Sequence, residues 1–306
     1  MQEVLGIIVP IIITIILGYF IKKIGLISRD GIDGVNKLAI NIMLPLLLFK
    51  TFSTNSIPSN LIVVPIISFI VCCVMLGLGY FMQGKFKIGD KISLFFASGF
   101  EVGMLGYALF SLIHGSEAIS SIALLDIGHV LFIYVIYITL VKRESGHVGG
   151  FMDIIKSIFT SSLCLSVFLG IIIGTTGLGK IIYSGAFGSI LVNTLESISQ
   201  PLGILILLII GYEIDLSGID PKYTSKLIGM RLISCLIGFG LMYLGFTIFN
   251  IQDRLIRLAG VFILLLPPPY ILPIFAKEEN RAELSAAISV DTLLTIVFVF
   301  VYMLLI

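Results

Sequence analysis

The chain has 306 residues, 19 of them basic and 18 acidic, for a formal charge of +1 at neutral pH. Apolar residues make up 58% and charged residues 12%, with a mean hydropathy of +1.15, which excludes an ordinary soluble domain. A charge near zero with no basic tail also excludes nucleic acid as a partner and leaves the lipid bilayer as the surroundings the chain suits.

The chain opens with MQEVLGIIVP, in which Glu3 stands where a signal peptide would carry basic residues and no small-residue cleavage site follows. It is therefore expected to be a first membrane span and not a cleaved signal. Apolar runs long enough to cross about 30 Å of hydrocarbon then recur along the whole length. They are expected at 4–22, 34–52, 60–82, 91–113 and 118–140, and again at 154–174, 188–211, 222–249, 254–276 and 283–306. The long polar connection is KRESGHVGGFMD, Lys142 to Asp153. The expected fold is thus an all-α integral membrane protein, with a first repeat over 1–141, a cytoplasmic loop over 142–153 and a second repeat over 154–306.

Basic residues set the orientation. With the N-terminus outside, the cytoplasmic loops and flanks collect Lys22, Lys23, Arg29, Lys37, Lys85, Lys87, Lys91, Lys142, Arg143, Lys156, Lys222, Lys226, Arg231, Lys277 and Arg281. Lys50, Lys180, Arg254 and Arg257 stay outside, a split of 15 to 4 that puts both termini outside. Five spans per half require the second half to be inverted. The residues carry traces of such a repeat: LGYFIKKIGL from Leu17 matches LGIIIGTTGL from Leu169, an offset of 152, and LPLLLF around Pro45 matches QPLGIL around Pro201, an offset of 156.

Inverted-repeat transporters build their sites where paired helices are interrupted. The ninth span reads LLLPPPYILPIF, with Pro267, Pro268, Pro269 and Pro273. Each proline removes a backbone donor and costs about 3 kcal/mol or more inside a helix, so the run is expected to be extended. The fourth span reads SGFEVGMLG, with Gly99, Gly103 and Gly106 around Glu101. An offset near 166 sets Glu101 opposite Pro267. Two matched breaks predict a crossing of broken helices, whose N-terminal ends would offer free N–H groups to a carboxylate.

The ionisable residues at bilayer depth are Glu101, Asp126, His129 and Asp291. A carboxylate there is protonated, paired or in a cavity, so Glu101 is either a proton carrier or a neutral acid bonded to the broken backbone. Asp126 and His129 share one helix face and could relay protons or satisfy each other. Asp291 lies 291 − 126 = 165 residues beyond Asp126 and repeats its place. Cys72, Cys73, Cys164 and Cys235 have no metal-type spacing and are expected as small apolar residues. No hydrolase elbow, HExxH or Walker A loop is present, so no enzyme, cofactor or metal is expected.

At this point the residues resemble the auxin efflux carrier family, which holds plant auxin carriers and bacterial proteins classed as malate permeases. NKLAINIMLPLLLF (Asn36 to Phe49) resembles that family's second span, QPLGILILLIIG (Gln200 to Gly211) its seventh, and LPPPYILPIFAKEENRAELSAAIS (Leu266 to Ser289) its ninth and exit. The resemblance implies ten helices in a five-plus-five inverted repeat, similar to sodium/bile acid symporters. In it spans 1, 2, 6 and 7 form a scaffold and spans 3–5 and 8–10 a transport domain with crossing broken helices 4 and 9. It further implies an elevator-like carrier of small organic anions in the plasma membrane, homodimeric through its scaffold helices. Where the family carries N-x-x-x-x-G-x-P in span four, this chain has Glu101, Gly106 and Ala108. A carboxylate in place of the amide repels an anion unless it is protonated, which favours proton coupling or a different substrate.

The resulting expectation is a secondary transporter binding its substrate through Asn41, Pro45, Glu101, Val102, Gly103, Pro267, Pro268, Pro269 and Tyr270. Glu101, Asp126, His129 and Asp291 are the candidates for coupling to H+ or Na+. The alternatives are a sodium-coupled symporter and a receptor-like membrane protein that binds without turnover.

Overall fold

The computed structural model describes residues 2–54, 61–88, 90–145 and 161–306. The connecting loop beyond Ser145, with His147, and the first part of the sixth expected span lie outside the described residues. Among the described residues the fold is helical, with no strand. Eight helices among the described residues are long and apolar enough to cross a membrane: Leu5–Lys23, Arg29–Thr54, Val63–Phe86, Ile92–His114, Ser116–Glu144, Gly185–Glu213, Pro221–Ile248 and Glu278–Leu305. Two further expected spans take other forms. One is the 14-residue apolar helix Ser162–Thr175. The other is the helix Arg254–Ile263, whose chain continues through the prolines into a short 3-10 turn at Leu272–Phe275.

In chain order we label α1 Gln2–Lys23, α2 Arg29–Leu38, α3 Leu44–Thr54, α4 Val63–Phe86, α5 Tyr107–His114, α6 Ile119–Phe132, α7 Ile138–Glu144, α8 Ser162–Thr175, α9 Leu178–Ile182, α10 Gly185–Ser199, α11 Leu202–Glu213, α12 Pro221–Ile248, α13 Arg254–Ile263 and α14 Glu278–Leu305. Helices start where the sequence supplies caps. Ser28 accepts from Gly31 N–H, Asp220 from Lys222 N–H ahead of Pro221, and Asp253 from Ile256 N–H.

One group of helices packs α1 on α11 and α3 on α8. Both crossings close on glycine. A Cβ at Gly18 of α1 would run into the Leu208 carbonyl of α11, and one at Gly170 of α8 would lie 2.9 Å from Phe52 Cβ and 3.1 Å from the Phe49 carbonyl of α3. The two glycines are 170 − 18 = 152 apart and their partners 208 − 52 = 156 apart, the two offsets read from the sequence matches. A second group packs α4 with α6 and α12, α12 with α14, and α13 with α6.

The segment 92–114 sits deepest. Of its most apolar window 89% is buried within the protein, against 22% for Leu5–Lys23. Phe95, Phe96, Phe110, Phe132, Tyr137 and Phe262 are almost wholly buried around it. Irregular backbone at membrane depth is tolerable only when protein or a watered cavity covers it, and this segment meets that condition.

One residue departs from the charge reading. Arg231 is not on a cytoplasmic flank: it lies in the interior of α12 and is 3% exposed. Removing it leaves 14 basic residues against 4 in the count, of which Lys156 lies outside the described residues.

Candidate functional site

The first broken segment runs from a 3-10 turn at Ile92–Ala97, through extended residues to Glu101, into a π turn at Val102–Gly106 and then α5. Gly99 has φ +72, and a Cβ there would lie 3.0 Å from Pro269 Cγ, so only glycine suits the position. The second segment leaves α13 and passes Leu266 before Pro267, Pro268 and Pro269, which hold the chain extended and present no N–H to satisfy. The two segments meet where Glu101 N–H donates to the Pro267 carbonyl at 2.8 Å.

A broken helix leaves free N–H groups on one side of the break and free carbonyls on the other. The N–H side is closed by Glu101 and His129. Glu101 Oε1 accepts from Met104 N–H at 3.3 Å in its own segment, and Oε2 accepts from Tyr270 N–H at 2.9 Å in the other. Phe100 N–H donates to His129 Nε2 at 3.0 Å. A backbone N–H can only donate, so Nε2 is bare and the ring proton sits on Nδ1, which donates to Asp126 Oδ1 at 2.9 Å. Tyr107 Oη–H donates to Asp126 Oδ2 at 2.7 Å. His129 is thus a neutral strut between α6 and the break.

The carbonyl side is closed by Arg231. Its Nη1 donates to the Phe96 carbonyl at 2.9 Å, and its Nη2 to the Gly99 carbonyl at 3.2 Å and to the Leu266 carbonyl. Its Nε pairs with Asp291 Oδ2 at 3.1 Å. Neighbouring carbonyls are covered too: Thr295 donates to Leu265 at 2.8 Å and Tyr137 to Phe95 at 3.3 Å. A cation stands at the carbonyl ends of both segments and a carboxylate at their N–H ends, as the helix dipoles demand.

Beside the crossing lies a cavity of about 850 Å³. It extends from Glu101, Gly103, His129, Asp126, Pro269 and Tyr270 to helix ends at Arg29, Glu213 and Arg281, passing Asn36, Ser289 and Thr292. Arg29 bridges Glu213 at 2.8 Å and Asp33 at 3.4 Å near the mouth.

Of the residues singled out from sequence, six therefore converge on the cavity: Glu101, Gly103, Asp126, His129, Pro269 and Tyr270. Val102, Pro267 and Pro268 are buried in the crossing and do not line it. Asp291 is not beside Asp126 in the cavity wall but pairs with Arg231. Asn41 is exposed and Pro45 is buried away from the cavity, so neither lines it. The physical reason is the π turn at Ala39–Met43, which inserts a wider turn between α2 and α3 and rotates the face that sequence spacing alone assigns. Asn36, one turn earlier, lines the cavity instead. The N–H groups expected to be free for a ligand are held by Glu101 itself. Arg231 was missed as a site residue, though a lone arginine inside the apolar run LIGMRLISCLIG was a signal for it.

No family model matches the chain. Over 138 residues, 41% of its length, the chain is 26% identical to an uncharacterized transporter of Methanocaldococcus jannaschii. The match spans 43% of that protein's length. The likeness supports transport, and a protein with several membrane-crossing helices agrees with it.

Proposed function

We propose that the chain is a secondary transporter of a small organic anion, a carboxylate, coupled to protons through Glu101. The observation that carries this is Glu101 bridging the N–H ends of both broken segments at the foot of a cavity of about 850 Å³, a volume in the range of small-molecule sites. Four backbone or side-chain hydrogen-bonding groups in the cavity wall, at Met104, Tyr270, Asn36 and Thr292, suit a carboxylate and its polar substituents. The rest of the wall is largely apolar.

In its ionised form Glu101 occupies the donors that an anionic substrate needs. A second carboxylate entering alone would place two negative charges on one pair of N–H groups in a site of low dielectric. Protonation of Glu101 converts one acceptor oxygen into a donor and releases an N–H to the incoming anion. Proton and substrate then enter together, and the charge buried at the crossing is unchanged.

The architecture fits a five-plus-five inverted repeat resembling the auxin efflux carrier family. The α1–α11 and α3–α8 crossings are related by the repeat offsets, as the first and seventh spans would be to the sixth and second. These helices would be the scaffold, and the group around α4, α6, α12, α13 and α14 the moving part of an elevator. With both termini outside, the cavity mouth at Arg29 and Arg281 faces the cytoplasm, and the state described is open inward.

Uptake into proteoliposomes tests the reading. A panel of mono- and dicarboxylates should include one whose flux rises as the pH on the substrate side falls, and Glu101→Gln should flatten that dependence. An unchanged pH dependence in Glu101→Gln would remove Glu101 as the coupling group.

A further inference from the structure

The surroundings of Arg231 have the composition of a cation site. Four oxygens converge on its guanidinium: the carbonyls of Phe96, Gly99 and Leu266, and one carboxylate oxygen of Asp291. Carbonyl and carboxylate oxygens are the ligands of hard metal cations, and rings of carbonyls replace the hydration shell of alkali ions. One carboxylate supplies one negative charge, which matches a monovalent ion. Among the described residues no cluster of three acidic, histidine or cysteine side chains is placed to hold a metal. The hydroxyls of Ser98, between two of the carbonyl-bearing residues in sequence, and Ser234, one turn beyond Arg231, are fully buried and have no hydrogen-bond partner. The oxygen supply in this part of the protein therefore exceeds what the guanidinium uses.

The site is also where a cation is needed. It gathers the carbonyl ends of both broken segments, so an ion placed there ties the two together, whereas an empty set of oxygens would drive them apart. Four of the five N–H donors of the guanidinium are engaged, on three different elements. The Phe100 ring, 5.3 Å from Cζ, adds an apolar wall with its own attraction for a cation.

We propose that Arg231 is a tethered cation that permanently fills a latent alkali-ion site behind the crossing, so that the protein holds its broken helices together without sodium. It is a positioning residue, and its bearing on coupling rests on the carrier reading above: with the place taken, a proton and not sodium is left to drive the cycle.

The test compares wild type, Arg231→Ala and Arg231→Lys, purified in detergent and melted in sodium, potassium, lithium or choline chloride at one ionic strength. Wild type should melt at the same temperature in all four. Arg231→Ala should melt lower in choline and recover by about 3 °C or more in at least one alkali cation, saturating with concentration. Arg231→Lys retains the tethered charge and should remain indifferent to the cation. A selective alkali response in wild type or in the lysine variant overturns the proposal, as does a folded alanine variant that no alkali cation stabilises. If the alanine variant does not fold, the wild-type and lysine arms still decide. Failure of the carrier reading looks different: no flux of any carboxylate in any cation, with the melting pattern intact.

Discussion

Glu101 and Arg231 divide one task between them, since each supplies the charge that one side of a broken helix pair lacks. Neither is optional on energetic grounds. Asp291→Asn would leave the Arg231 guanidinium buried with only neutral acceptors, and the loss of one partner of a buried pair costs about 3–5 kcal/mol. A clear drop in melting temperature, larger than for breaking an exposed pair such as Lys91 with Glu144, is the expected result. His129→Phe should cost about 1–3 kcal/mol because Phe100 N–H would be buried without an acceptor. Thermal denaturation checks both. Glu101 and the Asp126–His129 pair were legible from sequence, because carboxylates and histidines inside apolar runs are costly unless paired, protonated or in a cavity. Arg231 was hidden by its own chemistry: basic residues are counted as flanks when orientation is read, and the count absorbed the one that belongs inside.

At the scale of elements, glycine and proline carried most of what could be read. The proline run and the glycines around Glu101 announced both breaks because those residues act through local backbone geometry. The π turn at Ala39–Met43 had no such marker, since its residues AINIM include no glycine or proline, and sequence spacing therefore assigns the wrong face to the second span. The crossings at Gly18 and Gly170 give a paired prediction. Leucine at either position forces a side chain into a neighbouring helix, and overpacking of this kind costs about 1–3 kcal/mol. The account expects Gly18→Leu and Gly170→Leu to lower the melting temperature by similar amounts, whereas Gly6→Leu, with open space around it, should have little effect. Replacing Pro267, Pro268 and Pro269 together by alanine restores three N–H donors and lets the helix continue across the break. Circular dichroism should then show helix content retained or raised while carboxylate flux is lost.

For the whole molecule, the central feature is the cavity that runs from the crossing to the helix ends at Arg29, Glu213 and Arg281. Ser285 lines it near the mouth. In a background with Cys73 and Cys235 replaced, a cysteine at Ser285 should react with a membrane-impermeant maleimide from the cytoplasmic side, and a transported carboxylate should slow the reaction. Labelling from the outside alone would reverse the orientation drawn from the basic residues. That the chain crosses a membrane several times could be read from its apolar runs, because membrane thickness constrains length so strongly. What the cavity accepts could not, because its wall is assembled from seven segments distant in sequence. The most direct test of the account is proton uptake on binding. Adding a bound carboxylate to purified protein in weakly buffered solution should draw about one proton per ligand into the wild type and none into Glu101→Gln, by linkage between the two sites. Binding without proton uptake in the wild type, or equal uptake in both proteins, would contradict the role given to Glu101.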